Sequence, residues 1–253
     1  MLSLRSAPTS RSATLVAGSG VPGRRPRNTI TAVKIVKITW GQAYGPPSRP
    51  PCAVVAKIRM LATDQCSTVR EMNLRDERQG DREPVRTVHL QAFGDHGALV
   101  ADLVDTLRGT ITPDTGISLV AEDAGRVIGH IMFTPSLLDA PRRLVEVQVL
   151  SPLAVAPEYQ RQGVGSALVQ RGLEMLAERS VPLVFLEGDP GYYHRFGFQP
   201  GGVHGFRRPS LRIPDAAFQV IQFPAYEPWM IGTLVYSQPF WQHDAVGLRD
   251  PDN

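Results

Sequence analysis

Residues 147–172 read "VQVLSPLAVAPEYQRQGVGSALVQRG", and the way this stretch divides decides the fold. Its first nine residues suit a buried strand, and Ser151-Pro152 interrupts them, which predicts a bulge or bend inside that strand. A polar loop with Gly163 and Gly165 follows, and then a helical pattern over 161–179 with Val164, Leu168, Met175 and Leu176 on its buried side. A helix that starts just after a strand presents free backbone N–H groups and the positive end of its dipole, a combination suited to phosphate. Gly163 and Gly165 remove the Cβ atoms that would hold a diphosphate away from the backbone, while Arg161 and Gln162 add charge and hydrogen bonds. The Lys-Ser/Thr ending of a P-loop is missing, and a single Gly-x-Gly that follows the arginine does not make a dinucleotide fingerprint. Two readings stay open here: plain turn punctuation, or a cradle for the adenosine diphosphate of some other cofactor.

Outward from this stretch the periodicities continue. Upstream, "NLRDE" suits a short strand, and Val85, Val88, Ala92 and Phe93 recur at helical spacing between Asp81 and Gly94. A second helix fits "ALVADLVDTLRG", with Leu99, Leu103 and Leu107 on one face and Gly109 closing it. "ISLVAEDAGRVIGHIMFTP" reads as a hairpin turning at Asp123, Ala124 and Gly125. Downstream, "PLVFLEG" is apolar throughout, as a central strand is. Asp189 before Pro190 predicts the N-cap of a short helix, and "AFQVIQF" and "GTLVYSQPF" predict two closing strands, taken together as a last hairpin. The order gives a mixed α/β (α+β) domain with a largely antiparallel first half and one βαβ crossover.

The net charge of +3 hides an asymmetry. Ten Lys or Arg and no Asp or Glu lie in residues 1–63, so the other 17 basic residues face all 24 acidic ones and the remainder is acidic. The basic pI is therefore no sign that the main domain binds nucleic acid. Three readings compete for residues 1–71: a disordered basic tail, a targeting segment, or upstream sequence outside the natural product with initiation at Met60 or Met72. The clean pattern that begins at Met72 favours the last. The domain is placed at 72–243 with a tail over 244–253. Cys52 and Cys66 fall outside it, and His130, His204 and His243 have no metal-ligand spacing, so neither a disulfide framework nor a metal site is expected. No apolar run approaches the roughly 20 residues that span a bilayer, and a cytoplasmic protein without a membrane partner is expected.

Two motifs together carry a family resemblance. Gln160-Arg161-Gln162-Gly163-Val164-Gly165 resembles the Gln/Arg-x-x-Gly-x-Gly/Ala signature of the GCN5-related N-acetyltransferases, GNAT. "YYHRFGF" resembles that family's Tyr-x-x-x-Gly-Phe through Tyr193, Gly197 and Phe198, and "RIPDAAFQVIQF" is similar to the YhbS-like branch of predicted acetyltransferases. The likeness covers residues 72–243. It implies a GNAT fold: a mixed central sheet of about seven strands with flanking helices, in which two parallel strands splay to bind acetyl-CoA. On this reading the pyrophosphate lies on Arg161, Gln162, Gly163, Val164, Gly165 and Ser166, and the pantetheine arm pairs with the backbone of Leu153 and Val155.

The implied reaction is N-acetyl transfer by direct attack of a primary amine, of a small molecule or protein, on the thioester. The Val155 N–H would polarise the carbonyl, and Tyr193 matches the general acid that protonates the CoA thiolate. As alternatives, Tyr193 packs among Tyr192, Phe196 and Phe198, or Tyr192 is the tyrosine that points inward. The family's base positions hold Val149 and Ser151 here, which leaves Glu146, if a bulge turns it to the correct face, and Glu187 as candidate bases. His194 and Arg195 either touch CoA or face solvent. The missing strand base also suits a second reading, a non-catalytic acyl-CoA-binding or regulatory module of the same fold. A homodimer is expected by analogy alone.

Overall fold

The computed structural model describes residues 72–247, so expectations for residues 1–71, including both cysteines, lie outside the described residues. Strand β1 (Asn73–Asp76) leads into helices α1 (Arg82–Phe93) and α2 (Gly97–Arg108). The hairpin β2 (Ile117–Asp123) and β3 (Arg126–Asp139) turns at Ala124-Gly125, both with positive φ (48° and 78°). That backbone matches the right-handed twist of the flanking strands. Then come β4 (Leu144–Val155), α3 (Val164–Glu178), β5 (Leu183–Glu187), the single turn α4 (Pro190–Tyr193), β6 (Gln199–Pro200), β7 (Phe218–Gln222), β8 (Thr233–Val235) and α5 (Gln238–Gln242).

These strands form one eight-stranded sheet in the order β1-β2-β3-β4-β5-β7-β6, with β8 paired to the far end of β3. All pairings are antiparallel except β4 with β5, the two strands that α3 connects. One face of the sheet packs on α1 and α2 through Val85, Val88, Leu103, Val104 and Leu107. The other packs on α3 through Val164, Leu168, Val169, Leu173 and Leu176. Gly172 lets α3 approach β3, because a Cβ there would lie 2.1 Å from Cε2 of the fully buried Phe133.

Several expectations are corrected. Leu103 and Leu107 are buried as expected, but Leu99 is 38% exposed and Val100 turns inward in its place, because a spacing of four drifts around the helix by about 40° per step. Helix α3 starts at Val164, since Arg161 and Gly163 are left-handed (φ 60° and 88°), and Met175 is only partly buried. No last hairpin forms, because β7 pairs with β5 and β6 whereas β8 crosses to β3. "GTLVYSQPF" is strand for three residues only, and Pro239 then opens α5. The fold also runs past residue 243: Val246 is fully buried in the core and the Gly247 amide donates to Glu187.

Candidate active site

Strand β4 sets the site by losing its regular register. Ile131 faces Leu153 and Phe133 faces Leu150, so Ser151 and Pro152 together oppose Met132 alone. This is the bulge expected at Ser151-Pro152, whose peptide bond is cis. Beyond it Ala154 faces the α1/α2 core, whereas Leu153 and Val155 lean on the α3 side. The backbone follows the same alternation. The Ala156 amide bonds Ile128 on β3, so Ala154 also turns its polar groups to β3, and those of Leu153 and Val155 turn away from it.

The groups of Leu153 and Val155 therefore face a gap. Strands β4 and β5 pair only at Gln148 with Val184 and Val149 with Phe185, and then diverge. Gln160 Nε2 donates to the Val155 carbonyl at 3.0 Å. At the end of this open edge lies the first turn of α3. The Ala167 amide makes the first intrahelical bond, to Gly163 O at 2.9 Å, which leaves the amides of Val164, Gly165 and Ser166 without intrahelical partners.

The two signature glycines have different reasons. Gly163 stands in open space, and its φ of 88° is what a side chain would strain. At Gly165 an added Cβ would lie 2.9 Å from the Tyr192 hydroxyl, 3.5 Å from Val155 Cγ2 and 3.8 Å from Leu153 Cδ2. Gln162 is exposed, and its Nε2 donates to Glu158 O at 2.7 Å, which braces the loop. Arg161 is exposed beside it.

Helix α4 is built as expected, with Asp189 accepting from the Gly191 amide at 2.8 Å and Pro190 at its first position. It buries Tyr193 against Leu186, Phe196 and Phe198 and leaves Tyr192 half-buried. Burial, with Tyr192 and Asp189 adding to it, raises the Tyr193 phenol above its ordinary range, so it stays protonated. His194 and Arg195 are exposed, and Arg195 packs its guanidinium 4.3 Å from the Tyr192 ring centre.

The two carboxylate candidates part company. Glu146 is exposed and pairs with Leu137, on the face opposite Val145, Val147 and Val149; the bulge comes after Val149 and does not turn it. Glu187 ends β5 on the α1/α2 side, in alternation with Leu183 and Phe185. It accepts from the Gly247 amide at 3.1 Å and interacts with the buried Tyr236. Burial pushes its carboxyl up to about 7 against the opposing pull of Tyr236, Gly247 and Arg212.

A buried network beneath α1 had no signal in the sequence, because its histidines lie 41 residues apart. His89 Nε2 and His130 Nδ1 are 2.8 Å apart, His130 Nε2 is 2.9 Å from Ser118 Oγ, and that hydroxyl donates to Glu77 at 2.6 Å. Arg108 completes it with 2.7 Å and 2.8 Å contacts to Glu77. Burial drives both histidines below the usual range, His89 further, with Arg108 helping and Glu77 opposing. An unfolded histidine takes up a proton near pH 6.5, so below that pH the unfolded chain binds protons that the folded chain excludes, and stability falls as pH falls. Glu187 acts with the opposite sign: its folded pKa is raised, so its contribution is present below the unfolded value of about 4.3 and is lost as pH rises towards 7. In Glu187→Gln only the histidine effect remains, and urea midpoints between pH 8 and pH 5 are expected to fall more steeply on acidification than in the parent. A profile parallel to the parent's would contradict the raised carboxyl.

The chain as a whole has counterparts among known proteins. The profile described as "Acetyltransferase (GNAT) domain" matches residues 73–201. The chain belongs to the GNAT acetyltransferase family. Among its GNAT relatives, an uncharacterized N-acetyltransferase of Escherichia coli K12, YjhQ, is 32% identical over 186 residues, 73% of this chain and 96% of the relative. YhbS of the same strain, also an uncharacterized N-acetyltransferase, is 38% identical over 125 residues, 47% of this chain and 70% of the relative. The crystal structure of E. coli YhbS in complex with CoA superposes with a TM-score of 0.61 at 30% identity, over 70% of this chain and 96% of that one. A Brucella melitensis GNAT acetyltransferase in complex with acetyl-CoA gives 0.54 at 32% identity, over 68% and 99%. These relatives support the YhbS-like branch of the GNAT family. Among the described residues no helix is long and apolar enough to cross a membrane.

Proposed function

We propose that this GNAT protein is an N-acetyltransferase that moves the acetyl group of acetyl-CoA to a primary amine by direct attack, with Tyr193 as general acid. The observation that carries this reading is the open edge of Leu153 and Val155 running into the free amides of Val164, Gly165 and Ser166. These groups fit an extended amide-bearing arm ending in a diphosphate: the edge supplies strand-like hydrogen bonds, and the helix start supplies donors and a positive dipole. The CoA complexes of the YhbS and Brucella relatives support the same ligand.

Acetyl-CoA supplies a thioester whose acyl carbon the amine attacks. The Val155 N–H, which faces the gap, is placed to donate to the carbonyl oxygen as charge develops there. Tyr193, kept protonated by burial, donates to the departing sulfur. For the amine proton we propose Glu187, since it sits where the strands have parted and its pKa of about 7 suits a base at neutral pH. Glu146 is set aside by its exposed position on the other face.

Calorimetric titration of acetyl-CoA and of CoA tests the reading. Saturable binding by the parent is expected, with at least a hundredfold loss in Gly163→Trp, whose side chain would cover the free amides. A folded parent that binds neither compound would return the loop to turn punctuation.

A further inference from the structure

Tyr192 is the residue that the family signature does not account for. It belongs to α4, which follows β5, yet its hydroxyl lies against the first turn of α3, which follows β4. A side chain that joins those two places crosses the gap left by the diverging strands. Its hydroxyl is 2.9 Å from where a Gly165 Cβ would stand, and it interacts with the Ser166 side chain. Val155 Cγ2 and Leu153 Cδ2 crowd the same point from the open strand edge. The ring is held from behind by Arg195, whose Nε donates to the Tyr192 carbonyl at 2.8 Å while its guanidinium covers the ring. From the side it meets Tyr193 edge-on, with ring centres 4.9 Å apart.

We propose that Tyr192 is a latch across the cosubstrate channel: in the free protein it bridges α4 to Ser166, and an incoming diphosphate-pantetheine ligand must swing it aside. This inference rests on the acetyl-CoA reading of the same site. It gives Gly165 a second role, since any larger residue would collide with the latch in its closed position. The closed latch lies against Gly165 and the Ser166 side chain, residues whose amides belong to the expected phosphate cradle, so closure and binding compete for the same turn of α3. Only the fraction of molecules with Tyr192 displaced is competent to bind, and the apparent dissociation constant is the intrinsic one divided by that fraction.

The decisive comparison is the parent against Tyr192→Phe, with CoA as the probe, followed by calorimetry and by stopped-flow association. The phenylalanine keeps the ring contacts with Tyr193, Phe196 and Arg195 and removes only the hydroxyl, so the melting temperature serves as a check that the fold is intact. The expected result is tighter binding by about fivefold, the worth of one ordinary polar contact, carried by a faster association rate and an unchanged dissociation rate. Weaker binding, with faster dissociation, would make Tyr192 a ligand contact and overturn the latch. Identical rates would overturn it as well. A parent that binds no CoA would fail at the earlier step and take down the cofactor reading itself, an outcome distinct from either of these.

Discussion

Tyr193→Phe is expected to lower kcat for amine acetylation by about 10²- to 10³-fold, within the range for loss of a positioned general acid, while CoA affinity changes less than about threefold. The contrast follows from where the phenol sits. The ring is buried against Leu186, Phe196 and Phe198, and phenylalanine preserves that packing. The hydroxyl makes no hydrogen bond among the described residues, so its removal leaves no partner orphaned and little stability is at stake. What is lost is the proton for the leaving sulfur. The effect should therefore appear in kcat and kcat/KM alike, and should shrink for a thioester whose thiol is more acidic and needs no proton. Unchanged turnover in a variant that still binds CoA would make Tyr193 a packing residue. It would then favour the reading of the fold as a binding module.

The second large effect concerns how α3 is seated. Gly172→Ala is expected to destabilise the protein by about 2 kcal/mol, the middle of the range for an extra methyl forced into a filled core. This holds even though alanine favours a helix interior over glycine by roughly 0.5–1 kcal/mol. The new methyl would stand 2.1 Å from Phe133 Cε2 and 2.6 Å from Cζ, and Phe133 is fully buried on the central strand β3, so neither side yields cheaply. Combining Gly172→Ala with Phe133→Leu should cost less than the sum of the two single changes, because the shorter side chain vacates the contested volume. Urea denaturation of the four proteins measures the coupling. Additive costs would mean that helix and strand separate instead of colliding, and that the close approach is not what fixes the start of α3 over the gap.

The parts of the fold legible in the sequence were those written in local pattern. The β2–β3 turn announces itself in Ala124-Gly125, the bulge in Ser151-Pro152, and the cap of α4 in Asp189-Pro190, each a few residues long with a specific backbone demand. The glycine loop that opens α3 was legible for the same reason. What stayed hidden depends on partners distant along the chain. Thr233–Val235 looks like the mate of the strand before it, yet the free edge at the end of β3 takes it. His89 and His130 are unremarkable singly and become a buried pair only when α1 lies on β3. Gly165 read either as turn punctuation or as part of a diphosphate cradle, because nothing in its neighbourhood predicts that a tyrosine 27 positions later would lean on it. Glu187 was legible as a candidate base, but its burial beside residues 236 and 247 was not.

The bulge in β4 also works as a change of parity. Up to Val149 the odd-numbered residues of the strand face the α1/α2 core, and after one supernumerary residue at Ser151-Pro152 the even-numbered Ala154 does so instead. The same step decides which amides meet β3 and which meet the gap. A chain one residue shorter at this point would offer the polar groups of Ala154 to the gap and spend those of its neighbours on β3, with every side chain downstream inverted. The chemistry of the edge thus hangs on a count and hardly on composition: Leu153 and Val155 could change identity with little consequence, whereas the number of residues between Leu150 and Gly163 could not.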